Sequence, residues 1–257
     1  SFQVAFSPQS GQPAQGILTV DKRSFILTGN GLNPSLPSAA IVLASTLGAS
    51  VQQNSVSVTL ASASQLSGTG TLVMHFQSSV PGVTDDPAIR FLSGPKRAAT
   101  LTISTGDSAA KFGGQSSIAF QTGSTSGTIV FTLTLGNATQ QSNLVISPAP
   151  VSFDMSTSIR KVGELDVSLT GFDNTYSASQ LAFTFYDPKG GIVQPGVIHV
   201  DAAADFRQYF AAASTGGMFG LLARFPVTGD TSQIASVDVQ ITNSAGATTA
   251  QKIPIGN

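Results

Sequence analysis

Apolar and polar residues alternate with a period of two along most of this chain. Val56-Ser57-Val58-Thr59-Leu60, Thr71-Leu72-Val73-Met74-His75-Phe76, Leu101-Thr102-Ile103 and the run Thr128 to Leu135 all follow it. So do Val167-Ser168-Leu169, Leu181 to Tyr186 and Val237 to Ile241. Side chains on a strand point alternately to the two faces, so this pattern describes strands buried on one face; it does not fit an amphipathic helix. Turn formers such as Ser67-Gly68, Pro81-Gly82, Asp187-Pro188-Lys189-Gly190-Gly191 and Ser244-Ala245-Gly246 separate the runs. Only 10% of residues are charged and Glu164 is the one glutamate, so the helix-favouring Lys/Glu pairs are scarce. With 41% hydrophobic residues, including 16 Phe, there is enough to fill cores. The expectation is an all-β chain of tandem immunoglobulin-like β-sandwiches.

One stretch departs from the pattern. Residues 202–213, Ala-rich after Asp201, place Phe206, Tyr209 and Phe210 at helical spacing, which predicts a short helix ended near Gly216-Gly217. The three aromatic residues are expected to anchor it to a core. A weak repeat also recurs: a Phe, a Gly/Ser-rich turn, then an alternating strand, beginning at Phe6, Phe120 and Phe225. Its spacing is close to the roughly 100 residues of one immunoglobulin-like sandwich. Pro-containing links at Leu32 to Pro37 and Ser147 to Pro150 then divide the chain into residues 1–33, 38–147 and 151–257.

Residues 1–33 hold only three alternating runs, at Phe2 to Phe6, Gly16 to Val20 and Phe25 to Thr28. Phe2, Val4, Phe6, Leu18, Val20 and Leu27 form their inward set. Leaving six such side chains uncovered forgoes on the order of 9–18 kcal/mol. The face is therefore expected to meet a partner. The order Phe2-x-Val4-x-Phe6-x-Pro8, Gly11, Gly16-x-Leu18-x-Val20, Phe25-Ile26-Leu27-Thr28-Gly29-Asn30-Gly31 resembles the closing half of a bacterial choice-of-anchor module of the ASH and major-sperm-protein-like type. That resemblance implies an immunoglobulin-like half-module whose opening strands lie upstream or come from another subunit. Residues 38–257 are similar, more faintly, to the β-sandwich regions of large exported bacterial proteins. Such regions are structural or adhesive and imply no catalytic residue.

The chemistry available to the chain is limited. There is no cysteine, which excludes disulfides, thiolate zinc sites and cysteine nucleophiles. His75 reads as a solvent-facing strand residue and His199 as a strand-end residue, and no G-x-S-x-G elbow accompanies them. Asp85-Asp86 before Pro87 is the one adjacent acidic pair and reads as turn chemistry, with a calcium ligand as the minor alternative. Asp173-Asn174 and Asp201 with Asp205 carry suitable oxygens but no calcium-loop spacing, and Asp154, Asp166 and Asp187 read as exposed. The net charge of −1, with only the basic pairs Lys96-Arg97 and Arg160-Lys161, points away from nucleic acid. No apolar run reaches the roughly 18–20 residues of a membrane span.

These observations lead to a non-enzymatic expectation: a structural or adhesive segment of an extracellular or cell-surface assembly, without cofactor. Its partners are expected to be proteins, either copies of itself or upstream modules of the same chain. Head-to-tail addition of strands to the half-module would make a filament. The alternative is a carbohydrate- or ligand-binding sandwich of a larger exported protein, although Trp, the usual sugar platform, is absent.

Overall fold

The computed structural model describes residues 12–30, 35–212 and 216–256. Phe2, Val4 and Phe6 lie outside the described residues. The chain opens with an antiparallel hairpin of β1 (Pro13–Val20) and β2 (Arg23–Asn30), with Val20 opposite Arg23. Asp21 and Lys22 form its two-residue turn, both at positive φ (49° and 62°). That backbone is the one whose twist suits a tight hairpin. The hairpin forms a two-stranded sheet of its own.

Nine strands build the first sandwich: β3 (Ala39–Leu43), β4 (Leu47–Gly48), β5 (Gln53–Leu60), β6 (Gly68–Ser78), β7 (Arg90–Phe91), β8 (Ala98–Ile103), β9 (Ser117–Gln121), β10 (Gly127–Leu135) and β11 (Ala138–Ile146). One sheet runs β4-β11-β10-β6-β8 and the other β3-β5-β9-β7. Alternation decides which side chains meet between them. Leu72, Met74 and Phe76 of β6 are buried while Val73 and His75 are exposed. Val56, Val58, Leu101, Ile129, Phe120 and Phe131 are fully enclosed, the last two rings meeting edge to face at 5.0 Å.

The second sandwich comprises β12 (Ser152–Lys161), β13 (Glu164–Phe172), β14 (Gln180–Tyr186), β15 (Ile192–Asp201), α1 (Ala203–Ala212), β16 (Met218–Pro226), β17 (Ser236–Asn243) and β18 (Gly246–Gly256). Its strands follow one another as β15-β14-β17-β18-β12-β13-β16. β18 joins two layers, pairing antiparallel with β17 and, near its end, parallel with β12. Leu165, Val167, Phe183, Val237, Val239 and Ile241 fill the core completely. The expected strands thus fall inside β5, β6, β8, β10, β13, β14 and β17, and the architecture is all-β with one short helix.

The helix meets expectation with one correction. The Asp201 carboxylate accepts from Ala203 N–H at 3.0 Å and opens it, which satisfies one of the free donors of a first helical turn. Phe206 and Phe210 are buried against Phe219 and Tyr176. Tyr209 is not an anchor. It is 41% exposed, its ring edge-on to Phe210 at 5.6 Å, and it lines a cavity with Phe206 and Phe219 that is not filled by the core.

Candidate functional site

Two places stand out: the joint between the sandwiches and the N-terminal hairpin. The joint is built from the loop after β9 (122–126), Asp86, the link 147–151 and the loop after β13 (173–177). Asp86, Thr122, Ser124, Thr125, Ser126, Asp173, Asn174 and Asn243 are all buried there. Buried polar groups are tolerable only when bonded; Thr122 and the Asp86 carboxylate are bonded within the first sandwich, and others are bonded across the two. Ser126 N–H donates to the Asn174 carbonyl at 2.8 Å, and Gly217 N–H to Ser124 Oγ at 2.9 Å. The Asn174 amide nitrogen reaches Ser50 Oγ (3.0 Å) and the Ser147 carbonyl (2.9 Å), while its oxygen accepts from Ala149 N–H (2.9 Å). The Tyr176 hydroxyl bonds Thr125 Oγ1 at 2.9 Å.

Two carboxylates organise the two halves. Asp86 accepts from Thr125 N–H (2.9 Å), Thr125 Oγ1 (2.7 Å) and Ala88 N–H (3.0 Å). Asp173 accepts from Thr175 N–H and Oγ1, Ser177 N–H, Ala178 N–H and the Asn243 amide, all within 2.9 Å. The five bonds to Asp173 occupy the lone pairs a cation would need. Tyr176 sits between the two carboxylates at φ 55°, a left-handed backbone that costs a non-glycine residue free energy and is held in place by its surroundings. Burial pushes its hydroxyl pKa above the ordinary tyrosine value, against the Thr125 bond, and the charges of Asp86 and Asp173 push the same way. Gly216 and Gly217 let the chain pass close by. A Cβ on Gly216 would strike Ser124 Oγ, and one on Gly217 the Asp173 carbonyl.

The adjacent acids therefore part company. Asp85 is exposed and pairs with Arg97 at 2.5 Å, while Asp86, which caps the turn at Pro87-Ala88 through its bond from Ala88 N–H, is buried. Asp173-Asn174 likewise forms the second half of the joint, and no group of three or more His, Asp or Glu suited to a metal occurs among the described residues. Asp166 corrects another expectation: its side chain is largely buried beside Lys161, whose hydrogen bond holds the Asp166 carboxyl below the usual range. His75 and His199 are exposed, and among the described residues neither is hydrogen-bonded to a serine or aspartate. The joint was the part that sequence reasoning missed. Its signal was modest: two acid-led polar runs, Asp85 to Pro87 and Asp173 to Ser177, each directly following a strand or turn.

Of the expected interaction residues, Leu18, Val20 and Leu27 share one face of the hairpin, are half-buried, and are joined there by Phe25 at 51% exposure. Ile17 and Ile26 face each other on the opposite side at 73% and 70% exposure. A cleft of about 620 Å³ opens between the sandwiches, lined by Pro81, Asp85, Tyr176 and Arg207. No helix among the described residues is long and apolar enough to cross a membrane.

No protein-family model and no curated protein matches the chain. Among solved structures it is similar to a chain from a chaperone–tip adhesin complex of CFA/I fimbriae biogenesis, at 9% identity over 84% of this chain and 99% of that one, with a TM-score of 0.28. It is also similar to a type II cohesin dyad from the ScaA scaffoldin of Acetivibrio cellulolyticus, at 11% identity over 83% and 92%, TM-score 0.26. A third is red sea bream transglutaminase, at 10% identity over 87% of this chain and 32% of that one, TM-score 0.29.

Proposed function

We propose that the chain is a non-catalytic structural or adhesive segment of an extracellular or cell-surface assembly that associates with copies of itself. In this reading residues 1–33 are the closing half of a choice-of-anchor or ASH-type module, and 38–147 and 151–257 are the two sandwich domains. The observation that carries it is the joint. Flexible links between domains are poor in contacts, whereas this one, although residues 147–150 are themselves exposed, is tied by Asn174 and Asn243 to the buried polar network beneath it and framed by the prolines Pro148 and Pro150. Two sandwiches held in this way behave as one stiff spacer. The low charge belongs to the same reading, since edges poor in Lys and Glu are open to pairing.

Small-angle scattering on the purified chain tests it. The wild type is expected to scatter as a single rigid body, and Asn174→Ala, which removes three bonds across the joint, as two bodies with a larger radius of gyration. A wild type already as flexible as the variant would overturn the reading.

A further inference from the structure

The two sandwiches differ in one respect that points to a binding site. In the first, the outer edge of β9 is covered: β7 pairs with it, Phe91 opposite Phe120 and Arg90 opposite Gln121, and Ile89 and Phe91 fill the gap between the sheets. The segment at 108–112 seals the rest, bonding β5 through Ala110 N–H to the Val58 carbonyl and β8 through Lys111 and Thr102, so that Ala110 and Phe112 are buried. In the second sandwich β16 occupies the place of β9, but among the described residues its outer edge is unpaired and β16 ends its sheet. The connection that supplies β7 in the first is here the tight turn 187–191 between β14 and β15. α1 covers only the end near the joint.

What remains is an apolar seam. On one lip the inward residues Leu221, Ala223 and Phe225 stay half-exposed, although their neighbours on β13, Leu169, Val167 and Leu165, are fully buried. On the other lip Val200 is 38% exposed. Cavities of about 400 and 360 Å³ lie along it and share Phe225. The other lip is the poorer edge for pairing, because β15 carries Pro195 and a register shift.

We propose that this seam receives the β1–β2 hairpin of a second copy of the chain, with β1 pairing antiparallel along β16 and Leu18, Val20, Phe25 and Leu27 entering the seam. The inference rests on the self-association reading above and adds its acceptor. Four observations choose this occupant. The first sandwich shows what closes such a seam: an extended segment with apolar residues at alternate positions, which is the pattern of β1. The lengths agree, eight residues in β1 and nine in β16. Charge agrees too: with β1 antiparallel to β16, the Asp21-Lys22 turn and Arg23, together carrying one net positive charge, reach the α1 end of the seam, where Asp201 and Asp205 are exposed. Position completes the case. The chain enters the first sandwich beside Leu133 and Leu135, at the end of β10 away from the joint, and the seam opens at Phe225, at the end of β16 away from the joint. Donor and acceptor thus lie at opposite poles, so the contact is heterologous and propagates as an open chain of molecules.

Sedimentation velocity over a range of concentrations, with circular dichroism as a folding control, provides the test. Wild type is expected to form a concentration-dependent series of oligomers. Leu18→Asp, defective as donor, and Ala223→Arg, defective as acceptor, are each expected to weaken association by at least about tenfold, the scale of one lost apolar contact. Mixed together they restore one intact interface and give dimers that grow no further. Because the chain has no cysteine, a double variant Thr19→Cys/Leu222→Cys reads the contact without disturbing the seam. It should yield a reducible ladder on a denaturing gel that Thr19→Cys/Gln240→Cys does not. If Leu18→Asp abolishes assembly while Ala223→Arg assembles normally and no ladder forms, the seam is not the acceptor and self-association stands. A wild type that stays monomeric throughout sinks both.

Discussion

Tyr176 combines an unusual backbone, a partly buried ring and a hydroxyl committed to Thr125. Its raised pKa means that the fold holds the neutral phenol, so the stability it contributes is complete below the ordinary tyrosine value of 10.0 and is lost as pH rises through the folded value. Urea midpoints measured upward from neutral pH should therefore fall once the pH passes about 10. Tyr176→Phe should flatten that fall. Tyr186, raised chiefly by its bond to Asp238, contributes separately, and Tyr186→Phe in the same background should flatten it further. An unchanged alkaline slope in the double variant would remove the assigned cause. At this scale the sequence was least legible. Asp85 and Asp86 are chemically identical neighbours, and only the long-range return of Thr125, 39 positions on, makes one of them an interior residue.

At the level of elements, α1 closes one end of the second sandwich through two rings. Truncating Phe210, buried against Tyr176 and stacked on Phe206, should cost about 3–5 kcal/mol. Tyr209→Ala, at a ring 41% exposed and edge-on to Phe210, should cost less, about 1 kcal/mol. Chemical denaturation of the two variants separates them, and equal losses would show that the helix is seated by its other face. Elements were the most legible part of the sequence, for a physical reason. A strand packed on one face leaves a period-two trace that needs no knowledge of its partner, and Val56 to Leu60 or Val237 to Ile241 could be recognised from five residues each. Short pairings leave no such trace. β4 and β7, two residues apiece, depend on where the chain has been brought by other strands, and the open edge of β16 appears only when the order of strands is known.

Across the whole molecule, the buried joint couples two cores that would otherwise melt independently. Calorimetry of the wild type should show one transition whose calorimetric and van't Hoff enthalpies agree. Asn174→Ala, which leaves both cores untouched, should split it in two; two transitions in the wild type would place the joint outside the cooperative unit.

The parallel pairings near the chain ends have a mechanical consequence. In the first sandwich β4 pairs parallel with β11, and in the second β12 pairs parallel with β18. In the second, the strand nearest the entry of the chain lies beside the strand nearest its exit and points the same way; in the first, β4 takes that place directly after β3, which pairs antiparallel with β5. Tension between the two ends of a sandwich therefore slides these strands past each other and loads their hydrogen bonds together, where an antiparallel pair pulled from one end would open one bond at a time. Rupture under load is governed by the unfolding barrier and not by equilibrium stability, so modest domains arranged this way can transmit force along an assembly without being unusually stable at rest.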